Sequence, residues 1–85
     1  MESHEHRLKR LKIRAWRRGT KEMDLILGTF VNEHAKGLDA TELDSLEALM
    51  DENDTDIYPW FTGQTETPSE HADILQKIRS DIKLY

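Results

Sequence analysis

The sequence predicts an all-α protein, a compact bundle of about five short helices. Two observations carry this prediction: apolar residues recur at spacings of three and four along most of the chain, and glycines follow several of these periodic segments. No stretch alternates apolar and polar residues as a half-buried strand would. Because 85 residues suffice for one domain and not for two, we expect a single helical domain over residues 7–83, preceded by a flexible N-terminus at residues 1–6.

The first helix is predicted over residues 7–18. Its apolar side carries Leu8, Leu11 and Ala15 at positions i, i+3 and i+7. Its opposite side is basic and carries Arg10, Arg14 and Arg17. Gly19 should end the helix, because glycine adopts the left-handed backbone of a helix C-cap without strain.

The second helix is predicted over residues 21–36, with Thr20 as its N-cap and Gly37 at its C-terminal end. It has the broadest apolar stripe of the chain, formed by Met23, Ile26, Leu27, Phe30, Val31 and His34. The core should therefore be built on this helix. We expect the core to contain Met23, Ile26, Leu27, Phe30, Leu43, Leu46 and Leu75.

The other helices are less periodic. The third begins after Asp39, in a capping-box sequence with Glu42, and ends near Asn53. A fourth helix or turn covers residues 56–62 and ends at Gly63. Its predicted cap is Asp54 or Thr55, and Pro59 should fit only near its first turn. Its aromatic residues Tyr58, Trp60 and Phe61 should cap the core, the alternative being a site that stacks on the ring of a ligand. The fifth helix covers residues 69–83, with Leu75, Ile78 and Ile82 on its apolar face.

The charged residues are partitioned along the chain, which has a formal net charge of −5. Residues 7–21 contain eight Lys or Arg and no acid, and residues 39–56 contain eight Asp or Glu and no base. This partition predicts a dipolar molecule with one positive and one negative face, whose charge would steer association with a partner. The alternative is a basic helix that is paired with the acidic third helix, and the sequence leaves both open.

Several classes of function are disfavoured. The chain has no cysteine, which excludes a disulfide framework and a thiolate nucleophile and makes the cytoplasm the expected compartment. A Gly-rich phosphate loop and an HExxH motif are absent, and no apolar stretch approaches the ~20 residues that span a bilayer. His4 and His6 lie in the predicted N-terminal tail. We therefore expect no catalytic residue, no metal site and no direct membrane insertion.

The connection between the first two helices is the strongest candidate for a binding site. It reads Arg17-Arg18-Gly19-Thr20-Lys21-Glu22. Gly19 leaves the main chain bare, so that a partner can approach closely, and Arg18 and Glu22 are close enough to pair across the turn. From the residues alone, the alternative is a purely structural corner with a cap and an ion pair.

This connection also carries a resemblance to a known family. Arg-Gly-x-x-Glu, present at Arg18, Gly19 and Glu22, resembles the signature of the FAD assembly factors of succinate dehydrogenase. Residues 22–30 are similar to that family's E-x-D-x-x-x-G-x-F run, and residues 54–63 are similar to its D-x-(D/E)-(I/L)-(Y/L)-x-W-(L/F/I)-x-G stretch. The three segments occur in order, and the resemblance covers about residues 7–63.

The resemblance implies a five-helix accessory factor rather than an enzyme. Such a factor, or chaperone, binds the flavoprotein subunit of succinate dehydrogenase, or in some bacteria of fumarate reductase, and promotes covalent attachment of FAD to it. No cofactor would then be stably bound, since the FAD belongs to the partner. The expected partner-binding residues are Arg18, Gly19, Glu22, Arg17, Arg14 and Arg10. We expect a monomer that binds no nucleic acid; the alternative is an antitoxin-like regulatory or nucleic-acid-binding protein that uses the basic first helix.

Overall fold

The computed structural model describes residues 2–81, and within that range it contains five α-helices and no β-strand. The helices are α1 (His4–Ala15), α2 (Lys21–His34), α3 (Ala40–Met50), α4 (Asp54–Thr62) and α5 (Ala72–Asp81). One-turn 3₁₀ segments lie at Ala35–Gly37 and Ser69–His71. The predicted all-α fold is confirmed. The predicted continuation of the fifth helix to residue 83, with Ile82 on its apolar face, lies outside the described residues.

Helix α2 contacts both α1 and α5, and α5 also contacts α3 and α4. Helices α1 and α3 run parallel. This direction follows from the ion pairs between them, whose residue numbers increase together along both helices. These pairs are Arg7–Asp44, Arg10–Glu47 and Arg14–Asp51. Among the helices that the structure describes, none is long and apolar enough to cross a membrane.

The core has the composition that the periodicity predicts. Every residue predicted for it is buried, namely Met23, Ile26, Leu27, Phe30, Leu43, Leu46 and Leu75. In α4, Ile57, Trp60 and Phe61 share the buried face at positions i, i+3 and i+4. Tyr58 directly follows Ile57, points away from that face and is exposed. The prediction that all the aromatic residues of α4 cap the core is therefore wrong for Tyr58.

Side-chain caps mark where α1, α2 and α3 begin. The Ser3 hydroxyl accepts a hydrogen bond from a backbone N–H of the first turn at 3.1 Å, and α1 starts at His4, inside the segment predicted to be a flexible N-terminus. Thr20 caps α2 as predicted. Asp39 and Glu42 form the predicted capping box of α3, with both reciprocal hydrogen bonds present.

The ends of α2 and α4 differ in part from the predictions. Helix α2 ends in a 3₁₀ turn, and Gly37 does not adopt the left-handed backbone expected of a C-cap. Helix α4 begins two residues earlier than predicted, with Asn53 rather than Asp54 at the N-cap position, and Pro59 lies inside it instead of near its first turn. Gly63 ends α4 as predicted, with a φ of +82°.

Candidate functional site

The candidate site lies where the α1–α2 turn meets the α3–α4 turn. Between the two turns is an open groove of about 740 Å³, which we call the corner groove. It is lined by Ile13, Arg14, Arg17, Arg18, Gly19, Thr20 and residues 50–55. A smaller hollow of about 210 Å³ adjoins it, sharing Thr20, Asp54 and Thr55 and adding Glu22, Met23 and Tyr58.

Arg18 is bonded into the structure rather than projecting from the corner. Its guanidinium pairs with the Asp54 carboxylate at 2.8 Å and donates hydrogen bonds to the carbonyls of Met50 and, at 2.7 Å, Glu52. These carbonyls lie at the C-terminal end of α3, where helix geometry leaves acceptors without intrahelical donors. The Arg18 side chain is 11% exposed. The predicted ion pair between Arg18 and Glu22 is therefore wrong, because the planar guanidinium satisfies three acceptors on the other turn.

The α1–α2 turn is stabilised by Asp24, whose Oδ1 accepts a hydrogen bond from the Arg18 backbone N–H at 2.7 Å. Helix α1 ends at Ala15, three residues earlier than predicted, and residues 16–18 lead into the turn. Gly19 has a φ of +101°, so the predicted left-handed glycine is confirmed. A Cβ at Gly19 would meet no atom within 4 Å, which shows that the surface above it is open.

Gly28 allows α1 and α2 to approach closely beside this turn. A Cβ at Gly28 would lie 2.3 Å from the Trp16 indole ring, a distance that no side chain can tolerate. The Trp16 Nε1–H also donates to Asn32 Oδ1 at 3.4 Å. Gly28, which belongs to the E-x-D-x-x-x-G-x-F run, therefore serves helix packing.

The basic face of α1 meets the acidic face of α3 in a row of ion pairs, which we call the ladder. Its contacts are Arg7–Asp44 at 2.5 Å, Arg7–Glu47 at 2.6 Å, Arg10–Glu47 at 3.0 Å and Arg14–Asp51 at 2.7 Å. Hydrogen bonds from Arg10 and then Arg7 lower the pKa of the Glu47 carboxyl below its ordinary value. The ladder joins two helices that have few close backbone contacts, so long arginine side chains bridge the gap.

The ladder decides between the two interpretations of the charge pattern. The prediction of separate positive and negative faces is wrong, because the basic block and the acidic block lie side by side and pair. Arg10 contacts both Glu2 at 2.9 Å and Glu47, and it lines neither the corner groove nor the hollow. Arg14 does line the groove, yet it pairs with Asp51.

Two of the charged residues that line the groove or the hollow have no partner among the described residues. Arg17 lines the groove and Glu22 lines the hollow; both are exposed, and neither side chain makes an ion pair or hydrogen bond with any residue in the range 2–81. The structure thus brings Gly19, Arg17 and Glu22 together on one accessible surface. Their role in partner binding stays a prediction.

Sequence analysis missed a buried histidine next to this site. His71 is 4% exposed, its Nε2 lies 2.8 Å from Glu52 Oε2, and its ring lies against Trp60 with 5.7 Å between centroids. Its Nδ1 has no hydrogen-bond partner in the described part of the protein. Together with Glu70, these groups offer potential metal ligand atoms within 4.8 Å of one another. Glu52 and His71 are close because they share a hydrogen bond, which connects the start of α5 to the α3–α4 turn.

The burial of His71 had a signal in the sequence. It stands at the first position of an i, i+3, i+4, i+7 series whose other members are the buried Ile74, Leu75 and Ile78. A polar residue at such a position indicates a buried group that requires a hydrogen-bond partner.

Comparison with known proteins identifies the family to which the chain is similar. A family model described as the flavinator of succinate dehydrogenase matches residues 9–82. A protein of Mycosarcoma maydis named succinate dehydrogenase assembly factor 2, mitochondrial, is 39% identical over 71 residues, which cover 84% of this chain and 30% of that protein. Succinate dehydrogenase assembly factor 2-A, mitochondrial, of Drosophila mojavensis is 37% identical over 82 residues, covering 93% of this chain and 52% of that protein.

A third relative is closer to this chain in length. The FAD assembly factor SdhE of Acetobacter pasteurianus is 34% identical over 79 residues, covering 92% of this chain and 72% of that protein. The chain thus spans about half or less of the length of the first two relatives and most of the third. No solved structure matches the chain.

Proposed function

The chain belongs to the family of succinate dehydrogenase assembly and flavinylation factors, and we propose that it binds the flavoprotein subunit of that enzyme and promotes covalent attachment of FAD to it. The alternative substrate within this proposal is the flavoprotein of fumarate reductase. We further propose that the chain acts as a cytoplasmic monomer, holds no FAD stably itself and contributes no catalytic residue of its own.

One observation supports this proposal above the others: the motif residues divide into two groups. Arg18, Asp24, Gly28 and Asp54 are accounted for by contacts within the chain. Gly19 and Glu22 are not, since Gly19 presents bare main chain and Glu22 is exposed without a partner among the described residues. The turn needs Gly19 only for its positive φ, and no contact within the described residues uses the open surface above Gly19 or the Glu22 side chain. Such a surface is suited to contact another protein.

The proposed mechanism is a shift in the conformation of the flavoprotein. The chain would bind preferentially to the state in which the flavin lies against its acceptor side chain, and it can favour that state only by as much as it binds it better. A preference of ~1.4 kcal/mol already changes the population tenfold. The bond-forming groups belong to the flavin and the flavoprotein, whereas the corner of this chain supplies orientation.

The proposal is tested with purified apo-flavoprotein, FAD and the chain. Addition of the chain should accelerate the appearance of FAD that remains attached after denaturation, detected as flavin fluorescence in a denaturing gel. The flavoproteins of succinate dehydrogenase and fumarate reductase are assayed in parallel, and the preferred partner is the one whose rate rises more. Unchanged rates for both, with the chain in excess, would refute the proposal.

Variants of the corner refine the same assay. Glu22→Gln should reduce flavinylation without loss of helicity, because Glu22 is exposed and makes no contact that the fold requires. Glu33→Gln, an exposed glutamate on the same helix outside the groove and the hollow, is the matched control and should behave as wild type. Gly19→Arg should abolish flavinylation support, and Gly19→Asn measures the part of that effect due to backbone strain at positive φ.

We favour this function over the antitoxin-like, nucleic-acid-binding alternative because of the ladder. The α1 arginines that would contact phosphates are already engaged by α3 carboxylates, which would also repel nucleic acid. Tight binding to nonspecific DNA with a steep dependence on salt concentration would reverse this preference.

A further inference from the structure

We infer that the flavoprotein docks along the corner groove on two apolar anchors, Ile13 and Tyr58, with Arg17 rather than Arg18 as the charged contact. The inference rests on the proposed function and names the contacts that this function would use. The occupant is a protruding segment of the flavoprotein surface that carries a carboxylate flanked by apolar side chains.

The anchors are identified by exposure combined with position. Ile13 is 55% exposed and Tyr58 is 39% exposed, although both are large apolar or amphipathic side chains. Single exposed apolar residues are common on protein surfaces and need no explanation. These two differ because Ile13 lines the corner groove and Tyr58 lines the adjoining hollow. The groove and the hollow share lining residues, so the anchors stand on one continuous concave surface.

The charged contact is identified by elimination of the paired groups. Among the charged residues that line the groove, the pairs are Arg14–Asp51, Arg18–Asp54 and Glu52 with His71. Arg17 lines the same groove, is exposed and has no ion-pair partner within residues 2–81. An unpaired guanidinium in the same groove as an exposed apolar side chain is complementary to a carboxylate on a partner. Arg18 holds the two turns together and is not available to a partner, because its donors are used on Asp54 and on main-chain carbonyls.

The form of the surface favours a single protruding segment over a flat contact. A groove of about 740 Å³ is large enough for several side chains, and its open side admits a loop or a helix end. Tyrosine and arginine are enriched among the residues that contribute most to protein–protein binding. The groove therefore presents suitable anchor chemistry together with the open main chain of Gly19.

A competing surface lies on the outer side of the α1–α2 pair, where Trp16 and Leu25 are exposed. Trp16 is explained by its packing on Gly28 and its hydrogen bond to Asn32. Leu25 is 50% exposed and lines neither the groove nor the hollow. Leu25 thus matches Ile13 in size and exposure and differs in position, which makes it the appropriate comparison residue.

The test is a calorimetric titration of the apo-flavoprotein with wild-type chain and five variants. Ile13→Ala, Tyr58→Ala and Arg17→Gln should each weaken binding about tenfold, the loss typical of a central interface residue. Leu25→Ala and Arg79→Gln, an apolar and a cationic control at exposed residues that line neither the groove nor the hollow, should remain within about twofold of wild type. Arg17→Gln should also reduce the dependence of the dissociation constant on salt concentration, because it removes the exposed charge of the contact.

The possible outcomes are distinguishable. If the wild-type chain binds and the Ile13, Tyr58 and Arg17 variants bind equally well, the inference is wrong and the proposed function stands. If Leu25→Ala loses as much affinity as Ile13→Ala, the partner lies on the outer side of α1–α2 and the inference is again wrong. Thermal melts of each variant are also followed by circular dichroism. If the variants lose affinity only to the extent that they lose helicity, the inference is wrong as well. If the wild-type chain binds neither flavoprotein, the proposed function itself fails.

Discussion

The ladder and the Arg18 pocket use the same residue types with different physical consequences. In the ladder, Arg14 and Asp51 pair at 2.7 Å with side chains that are 34% and 69% exposed. One helical turn later in the sequence, Arg18 and Asp54 pair at 2.8 Å with side chains that are 11% and 16% exposed, and Arg18 also donates to two carbonyls. The two ion pairs have nearly the same length and differ in how exposed their side chains are.

The difference teaches that an ion pair has to be judged by what surrounds it. Water screens the exposed pairs, so each contributes little, and their sum orients α1 along α3. In the pocket, removal of one partner would leave a carboxylate and main-chain carbonyls poorly solvated, which is costly. The ladder is therefore adjustable, whereas the pocket determines the shape of the corner and with it the candidate binding surface.

The largest effect that this comparison predicts is the loss of the Arg18 guanidinium. Arg18→Gln should reduce the free energy of unfolding by about 3 kcal/mol, because it breaks a mostly buried pair and leaves its acceptors unsatisfied. Arg18→Lys keeps the charge but loses the planar set of donors, so an intermediate loss is expected. Urea denaturation followed by circular dichroism measures both. A loss for Arg18→Gln no larger than that of an exposed arginine would show that the pocket contributes no more than the ladder.

A second effect of intermediate size concerns acid. The ordinary pKa of the Glu47 carboxyl is 4.5, and its hydrogen bonds with Arg10 and Arg7 lower that pKa in the folded chain. A lowered folded pKa contributes stability that is present above the unfolded value and is lost as the pH falls through the folded value. Stability should therefore decline as the pH falls below about 4.5, and Glu47→Gln should make the decline shallower. Thermal melts between neutral and strongly acidic pH measure this, and identical pH profiles would contradict it.

The smallest effect should come from the most exposed part of the ladder. Arg14→Gln should change the free energy of unfolding by less than about 1 kcal/mol, because exposed ion pairs are screened and cost side-chain entropy. The small difference from wild type should shrink further at high salt concentration. Denaturation at low and high salt tests this, and a salt-independent loss comparable to that of Arg18→Gln would remove the distinction between the two regions.

Much of the fold follows from local sequence patterns. The 3.6-residue period places Met23, Leu27 and Phe30 in the core, the capping box marks the start of α3, and Gly63 marks the end of α4. These features depend on residues three or four positions apart, whose relation is set by helix geometry alone. The resemblance to the flavinylation factors rests likewise on short motifs, and the family match agrees with it.

The chemistry of the corner depended on contacts that no local spacing reveals. Arg18 and Asp54 are 36 positions apart, whereas Glu22 is only four positions from Arg18. Spacing along the sequence therefore predicts the pair Arg18–Glu22, which the structure does not contain. The same holds for the pairing of α1 with α3 and for the burial of His71 against Trp60. The sequence by itself determined the helices, their buried faces and the family. Only the tertiary structure decided which arginine is buried and which is free, because burial is set by how the helices pack and not by the identity of the side chain.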